Sequence, residues 1–151
     1  MKTAETRILV VDDESNICNI ISDCLSSENY EVITKTDPLE AMHWISENRV
    51  DLVLTDIMMG KHSGVEVLEC VREKQSDAVV ILMTAYPTVQ SAISVLKTGA
   101  YDFLVKPFKL EFLKATIKRG LAHQRLLREN LRLREQVEFL RIAGAGLSGM
   151  E

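Results

Sequence analysis

Asp12, Asp13, Asp56, Thr84 and Lys106 stand where apolar runs of this sequence end. Ile8-Leu9-Val10-Val11 leads into Asp12-Asp13, and Val53-Leu54-Thr55 into Asp56. Val79-Val80-Ile81-Leu82-Met83 leads into Thr84, and Phe103-Leu104-Val105 into Lys106-Pro107. Short β-branched runs of this kind read as strands buried on both faces, as in a parallel sheet covered by helices. Open α/β sheets bind their ligands at the carboxyl ends of the strands. Carboxylates gathered there repel one another, and at least one would hold a proton unless a cation joined them. Mg²⁺ suits a site that offers few carboxylates and keeps its waters. It is therefore expected on Asp12 or Asp13 together with Asp56. Lys106 is a point charge for phosphoryl oxygens, and Thr84 adds a hydroxyl donor. A nucleophilic carboxylate, a metal, a cation and a hydroxyl are the parts for moving a phosphoryl group onto an aspartate. No Walker-type Gly-Lys-Ser/Thr loop occurs, so the donor is expected to bring the phosphoryl group already activated rather than as ATP.

The elements that must position these groups alternate regularly. After Asp12-Asp13-Glu14, Ser15 is expected to cap a helix with Ile17, Ile20, Ile21 and Leu25 on its apolar face. Tyr30 to Thr34 reads as the second strand. Asp37-Pro38 pairs a cap residue with proline at the first helical position, opening a helix that buries Leu39, Ala41, Met42 and Ile45. The third strand runs from about Leu52 to Asp56. Ile57 to Ser63 reads as a loop, with Gly60 and Gly64 supplying backbone freedom, before a helix with Val65, Val67, Leu68 and Val71. Val79 to Thr84 is the fourth strand. The fourth helix begins near Pro87-Thr88 and stops at Gly99, and Tyr101 to Val105 is the fifth strand. Five βα units give an α/β fold with a doubly wound parallel sheet.

From Leu110 a helical pattern continues to about Arg141, longer than a sheet-covering helix needs. Its second half reads as a heptad, with Leu126, Leu133 and Leu140 at d and His123, Asn130 and Val137 at a. An Asn at one a position favours a parallel two-stranded coiled coil in fixed register, where Glu129 at g meets Arg134 at e of the partner helix. Residues 143–151 have linker composition. A long helix leading to a linker suggests an output domain absent from this sequence.

The chain of 151 residues is 46% hydrophobic and 26% charged, enough for one domain and an appendage. Its net charge of −4 gives no overall reason to expect nucleic-acid binding by this segment. The longest apolar run, around Val79 to Met83, is far short of a membrane span. Met1 to Arg7 lead straight into the first strand without a signal-peptide pattern. Cys18, Cys24 and Cys70 lack metal-ligand spacing and read as reduced thiols of a cytoplasmic protein.

Asp12-Asp13, Asp56, Thr84 and Lys106-Pro107, at these spacings on five βα units, resemble the receiver domain of bacterial two-component response regulators over residues 5–122. The resemblance implies a flavodoxin-like (βα)5 fold with strand order 2-1-3-4-5. It implies Asp56 as phosphoacceptor, with Asp12, Asp13, Asp56 and the backbone carbonyl of Met58 at Mg²⁺. Thr84 and Lys106 would bind the phosphoryl oxygens, Phe103 would be the aromatic switch beside Thr84, and Lys106-Pro107 a cis peptide. Gly60 departs from the proline often found four residues after the acceptor, which implies a more mobile loop. His62, near the site in sequence, reads as an exposed loop residue. Gly99 to Phe108 and Leu126 to Glu135 are similar to NtrC-like, sigma54-dependent activators. The implied function is a phosphorylation-dependent switch, not an enzyme acting on external substrates. A sensor histidine kinase would serve it. It would form a homodimer through the fourth helix, fifth strand and fifth helix, continued by a coiled coil over 123–142. It would reach DNA only through an absent output domain. Two rivals stand beside this reading. A Mg²⁺-dependent phosphohydrolase needs an acid/base two residues after its nucleophile, where Met58 stands. A structural dimerisation module would carry a vestigial site.

Overall fold

The structure, a computed structural model, describes residues 6–149, with the side chains of Val89, Ser91, Ala92 and 145–149 left out. The expected receiver start at residue 5, the leader reading of the first five residues and the last two residues of the expected tail lie outside the described residues. Strands β1 (Arg7–Val11), β2 (Glu31–Lys35), β3 (Leu52–Asp56), β4 (Met58–Met59), β5 (His62–Ser63), β6 (Val79–Thr84) and β7 (Asp102–Val105) alternate with helices. These are α1 (Ser15–Ser26), α2 (Pro38–Glu47), α3 (Gly64–Lys74), α4 (Val89–Lys97) and α5 (Leu110–Gly149). The main sheet is parallel in the order β2-β1-β3-β6-β7. This is the expected 2-1-3-4-5 order once the small β4-β5 hairpin is set aside.

The sheet is covered on both sides because its strands are apolar on both sides. The pleat sends Leu9, Val11, Val53, Val80 and Leu82 to one face, against Ala41 and Ile45 of α2 and Val67, Leu68 and Val71 of α3. It sends Ile8, Val10, Leu52, Leu54, Ile81 and Met83 to the other, against Ile21 and Leu25 of α1 and Leu113, Ile117 and Leu121 of α5. Gly120 lets α5 lie close. A Cβ there would come within 2.9 Å of a Leu52 methyl.

Several boundaries shift from the sequence reading. Glu14, in extended conformation, is the N-cap of α1 and makes no side-chain cap bond; Ser15 is already helical. The Asp12 carboxylate takes the Glu14 amide instead, at 2.9 Å. The expected Asp37 cap does form, its carboxylate accepting from the Leu39 amide at 2.9 Å. The loop after β3 is a hairpin, with Met58 opposite Ser63 and Met59 opposite His62. Gly60, at φ +62, takes its first turn position, as a type II′ turn requires. α5 continues through Gly149, into the stretch whose composition reads as linker. Extending an existing helix costs far less than starting one, and Ala143 and Ala145 favour it.

Candidate functional site

Strand register assembles the site. Val11 lies opposite Thr55, so Asp12 and Asp56, each one residue further on, are neighbours. Asp56 lies opposite Met83, placing Thr84 one step beyond it. Thr84 lies opposite Val105, and Lys106 follows. A one-residue slip in any ladder would turn the corresponding side chain to the wrong face.

The rim is acidic. Asp12, Asp13 and Asp56 each offer an oxygen, and the three lie within 4.8 Å of one another. Asp12 and Asp56 are buried, while Asp13 is exposed. Lys106 reaches in between, its Nζ donating to Asp12 Oδ2 at 2.6 Å and to Asp56 Oδ2 at 3.1 Å. Burial pushes the Asp56 carboxyl above the usual aspartate range. The Lys106 ammonium opposes that rise, and the Asp12 charge adds to it. Burial alone would lower Lys106, but its hydrogen bonds to Asp12 and Asp56 outweigh this and raise it. One ammonium cannot balance three carboxylates, so the donor set fits a hard divalent cation joining them.

The other expected residues fall around this centre. Met58 donates its amide to Asp56 Oδ1 at 3.4 Å, while the residue as a whole is 66% exposed. The Thr84 hydroxyl accepts from the Tyr86 amide at 3.0 Å, a bond that does not use its own proton. Phe103 is half-buried and packs against the core on the α2–α3 side. The Lys106-Pro107 peptide is cis. His62 turns to Glu66, at 2.9 Å. Leu126, Leu133, Val137 and Leu140 are exposed large apolar residues along α5, and Asn130 is exposed with them. His123 lies against the Tyr101 ring at 4.9 Å.

Sequence reasoning missed two neighbours of the centre. Cys18 is buried beneath it, its thiol donating to the Asp12 carbonyl at 3.4 Å and pushed up to about 11 by burial. Its place on the apolar face of α1 was the available signal. Gly64 was read for backbone freedom, but its role is contact. A Cβ there would stand 2.1 Å from the Asp56 carbonyl oxygen, and its amide donates to the Ile57 carbonyl at 2.7 Å.

A doubly wound parallel sheet with an acidic, lysine-bridged rim at its switch point defines an α/β domain of the kind that binds its ligand at the carboxyl ends of its strands. A family model, the response regulator receiver domain, matches residues 8–118, and the chain belongs to that family. It is 37% identical over 126 residues to the transcriptional regulatory protein ZraR of Klebsiella oxytoca, covering 83% of this chain and 28% of that protein. It is 35% identical over 127 residues to the regulatory protein AtoC of Escherichia coli strain K12, covering 84% and 28%. Its fold matches the solution structure of the beryllofluoride-activated NtrC4 receiver domain dimer at a TM-score of 0.74 and 36% identity, over 78% of this chain and 98% of that one. The chain is thus a receiver domain related to NtrC-like regulators. It spans little more than a quarter of the length of the curated relatives it matches. Among the described residues no helix is long and apolar enough to cross a membrane.

Proposed function

We propose that this domain is a phosphorylation switch whose acceptor is Asp56. The observation that carries the proposal is the bridge of Lys106 between Asp12 and Asp56 at a rim with excess negative charge. An Asp56 oxygen attacks phosphorus in a partner kinase's phosphohistidine, or in a small acyl phosphate. A P–O bond forms, the P–N or P–O bond to the donor breaks, and the leaving group departs with the electron pair. Lys106 binds the incoming oxygens by charge, and Thr84 donates to one of them. Asp12, Asp13, Asp56 and the Met58 carbonyl would hold Mg²⁺, which supplies charge neutralisation for phosphoryl transfer. Phosphorylation adds charge and acceptor oxygens where Lys106 now bonds two carboxylates. Lys106, Thr84 and the half-buried Phe103 then favour a second packing of α4 and β7.

A kinase partner in the cytoplasm fits the surface beside the rim. Ile17, Ile20, Ala85, Pro107, Phe108 and Leu110 border a largely apolar hollow of about 410 Å³ that Lys106 also lines. A second copy fits the other side. Phe112, 52% exposed, stands two heptads before Leu126 and adds an apolar side chain to the exposed surface of α5. NtrC4, a relative of similar fold, is described as a receiver dimer. Residues 123–142 would then be the coiled-coil signalling helix, leading to an output domain such as the much longer relatives have room for. DNA would be reached only through that domain. The phosphohydrolase reading needs an acid or base where Met58 offers an exposed thioether.

The test is intact mass after incubation with Mg²⁺ and acetyl phosphate. Wild type should gain one phosphoryl group and Asp56→Asn none. Wild type without a mass gain would leave the vestigial-module reading standing. Turnover of a generic phosphomonoester would favour the hydrolase.

A further inference from the structure

A second ionic cluster lies at the opposite end of the sheet. Asp51 immediately precedes β3, and Asp77 lies two residues before β6. These are the strands that end in Asp56 and Thr84. Both acids grip one side chain of the helical extension. Arg128 places Nη2 2.9 Å from Asp51 Oδ1 and Nε 3.0 Å from Asp77 Oδ2. The second Asp51 oxygen takes the Arg7 amide at 2.8 Å, and Asp77 also meets Arg49 at 3.3 Å. One turn back along α5, Gln124 is buried. In the amide orientation that satisfies both its ends, its oxygen accepts from Arg128 Nη2 at 2.6 Å and Nε at 3.1 Å. Leu121 and Leu127 pack beside it on the sheet. A forked guanidinium between two fixed carboxylates defines an orientation as well as an attraction.

The helical phase of this grip gives it meaning. In the heptad that places Leu126 at d, Gln124 falls at b and Arg128 at f, on the side of the helix away from the a/d seam. The receiver thus holds α5 by its back and leaves Leu126, Asn130, Leu133, Val137 and Leu140 facing outward. Beyond Arg128 the described residues of α5 are mostly exposed, so this is the last fixed point before the helix leaves the domain.

We propose that Arg128 is a positioning residue. Clasped by Asp51 and Asp77, it fixes the rotational phase at which the receiver presents the α5 seam, and makes β3, β6 and the extension one rigid lever. This rests on reading α5 as the signalling helix of an Asp56 switch. A change at the rim ends of β3 and β6 reaches the seam only while the base ends of the same strands hold Arg128. With the clasp open, the helix pivots near Gln124, and the state of Asp56 no longer sets the seam.

The experiment is hydrogen exchange on the full chain, with and without Mg²⁺ and acetyl phosphate, with phosphorylation followed by intact mass. In the unphosphorylated state, Arg128→Ala and Asp77→Asn should each speed exchange over 124–132 by about tenfold. Exchange in β3 and β6 and the rate of Asp56 phosphorylation should stay unchanged. The double variant should exchange no faster than the worse single one, since both remove one coupling. Arg128→Lys should recover only part of the protection, because an ammonium cannot fork between two acids. In wild type, phosphorylation should alter exchange along 126–140, and Arg128→Ala should erase that change. Unchanged exchange in Arg128→Ala, additive effects in the double variant, or a phosphorylation response that survives Arg128→Ala would each overturn the clasp. If wild type takes up no phosphoryl group, the switch reading fails instead, and the unphosphorylated comparison still decides whether Arg128 fixes the helix.

Discussion

The two ends of this sheet use the same kind of side chain in opposite balance. At the rim, Asp12, Asp13 and Asp56 face a single ammonium among the described residues, Lys106. At the base, Asp51, Asp77 and Glu31 meet Arg7, Arg49 and Arg128, each acid with at least one guanidinium. A balanced ion cluster is a joint, because every group has a partner and none gains by changing state. An unbalanced one is poised, because a cation from outside, or a new group on one carboxylate, relieves the repulsion. The strands are the same at both ends, so the difference lies in charge count and not in architecture.

The largest expected effect tests whether the rim tolerates any disturbance of its backbone. Gly64→Ala would drive a methyl group into the Asp56 carbonyl. Backbone has nowhere to retreat in a packed strand end, so we expect a loss of about 2–4 kcal/mol, read by urea denaturation. A loss below about 0.5 kcal/mol would show that the acceptor strand is softer than its burial implies.

Next comes the charge deficit itself. Added Mg²⁺ should raise the Tm of wild type, by mass action worth about 2.7 kcal/mol at a hundredfold excess over Kd. Asp13→Asn should weaken Mg²⁺ binding by about tenfold or more, since Asp13 is the one carboxylate of the three that Lys106 does not already engage. An unchanged Tm with Mg²⁺ would make the rim as self-sufficient as the base.

The third effect turns on pH. Burial pushes Asp56 above its ordinary range, so the folded state favours its protonated form. That stabilisation is complete below about pH 4, the ordinary aspartate value, and is lost as pH rises through the raised one. At pH 7 the fold carries the charged group at a cost. Asp56→Asn should therefore melt higher than wild type at pH 7, with the gap closing toward pH 4. A lower Tm for Asp56→Asn at pH 7 would mean that the Lys106 bridge outweighs burial and that the rim is balanced after all.

Which parts of this contrast could be read from the sequence follows from distance along the chain. The rim was legible because each of its groups ends an apolar run, and a parallel order places all such ends together. The length of α5 was legible because a helical pattern is local. The base was not. Asp51, Asp77 and Arg128 carry no local signal, being ordinary charges before two strands and on a polar helix, and only tertiary folding joins positions so far apart. The hairpin after Asp56 was hidden because Met58-Met59 and His62-Ser63 are too short for a strand pattern. Gly64 was seen for the wrong reason, since a close backbone approach leaves the same letter as a turn.

The smallest effect separates a joint from mere proximity. Arg49 meets Asp77 at 3.3 Å, but its side chain is 65% exposed. Asp77 keeps Arg128 when Arg49 is removed. An exposed pair of this kind contributes roughly 0–1 kcal/mol and weakens with salt. Arg49→Ala should therefore change stability by no more than about 0.5 kcal/mol at moderate salt, and should leave amide exchange over 124–132 as in wild type. Measured beside Arg128→Ala, it controls for net charge, since both variants remove one guanidinium from the same acid. If Arg49→Ala loosens the helix as much as Arg128→Ala does, the base responds to summed charge and the rim is not special in doing so. If only Arg128→Ala loosens it, the base is held by directed bonds, and response to charge is confined to the rim.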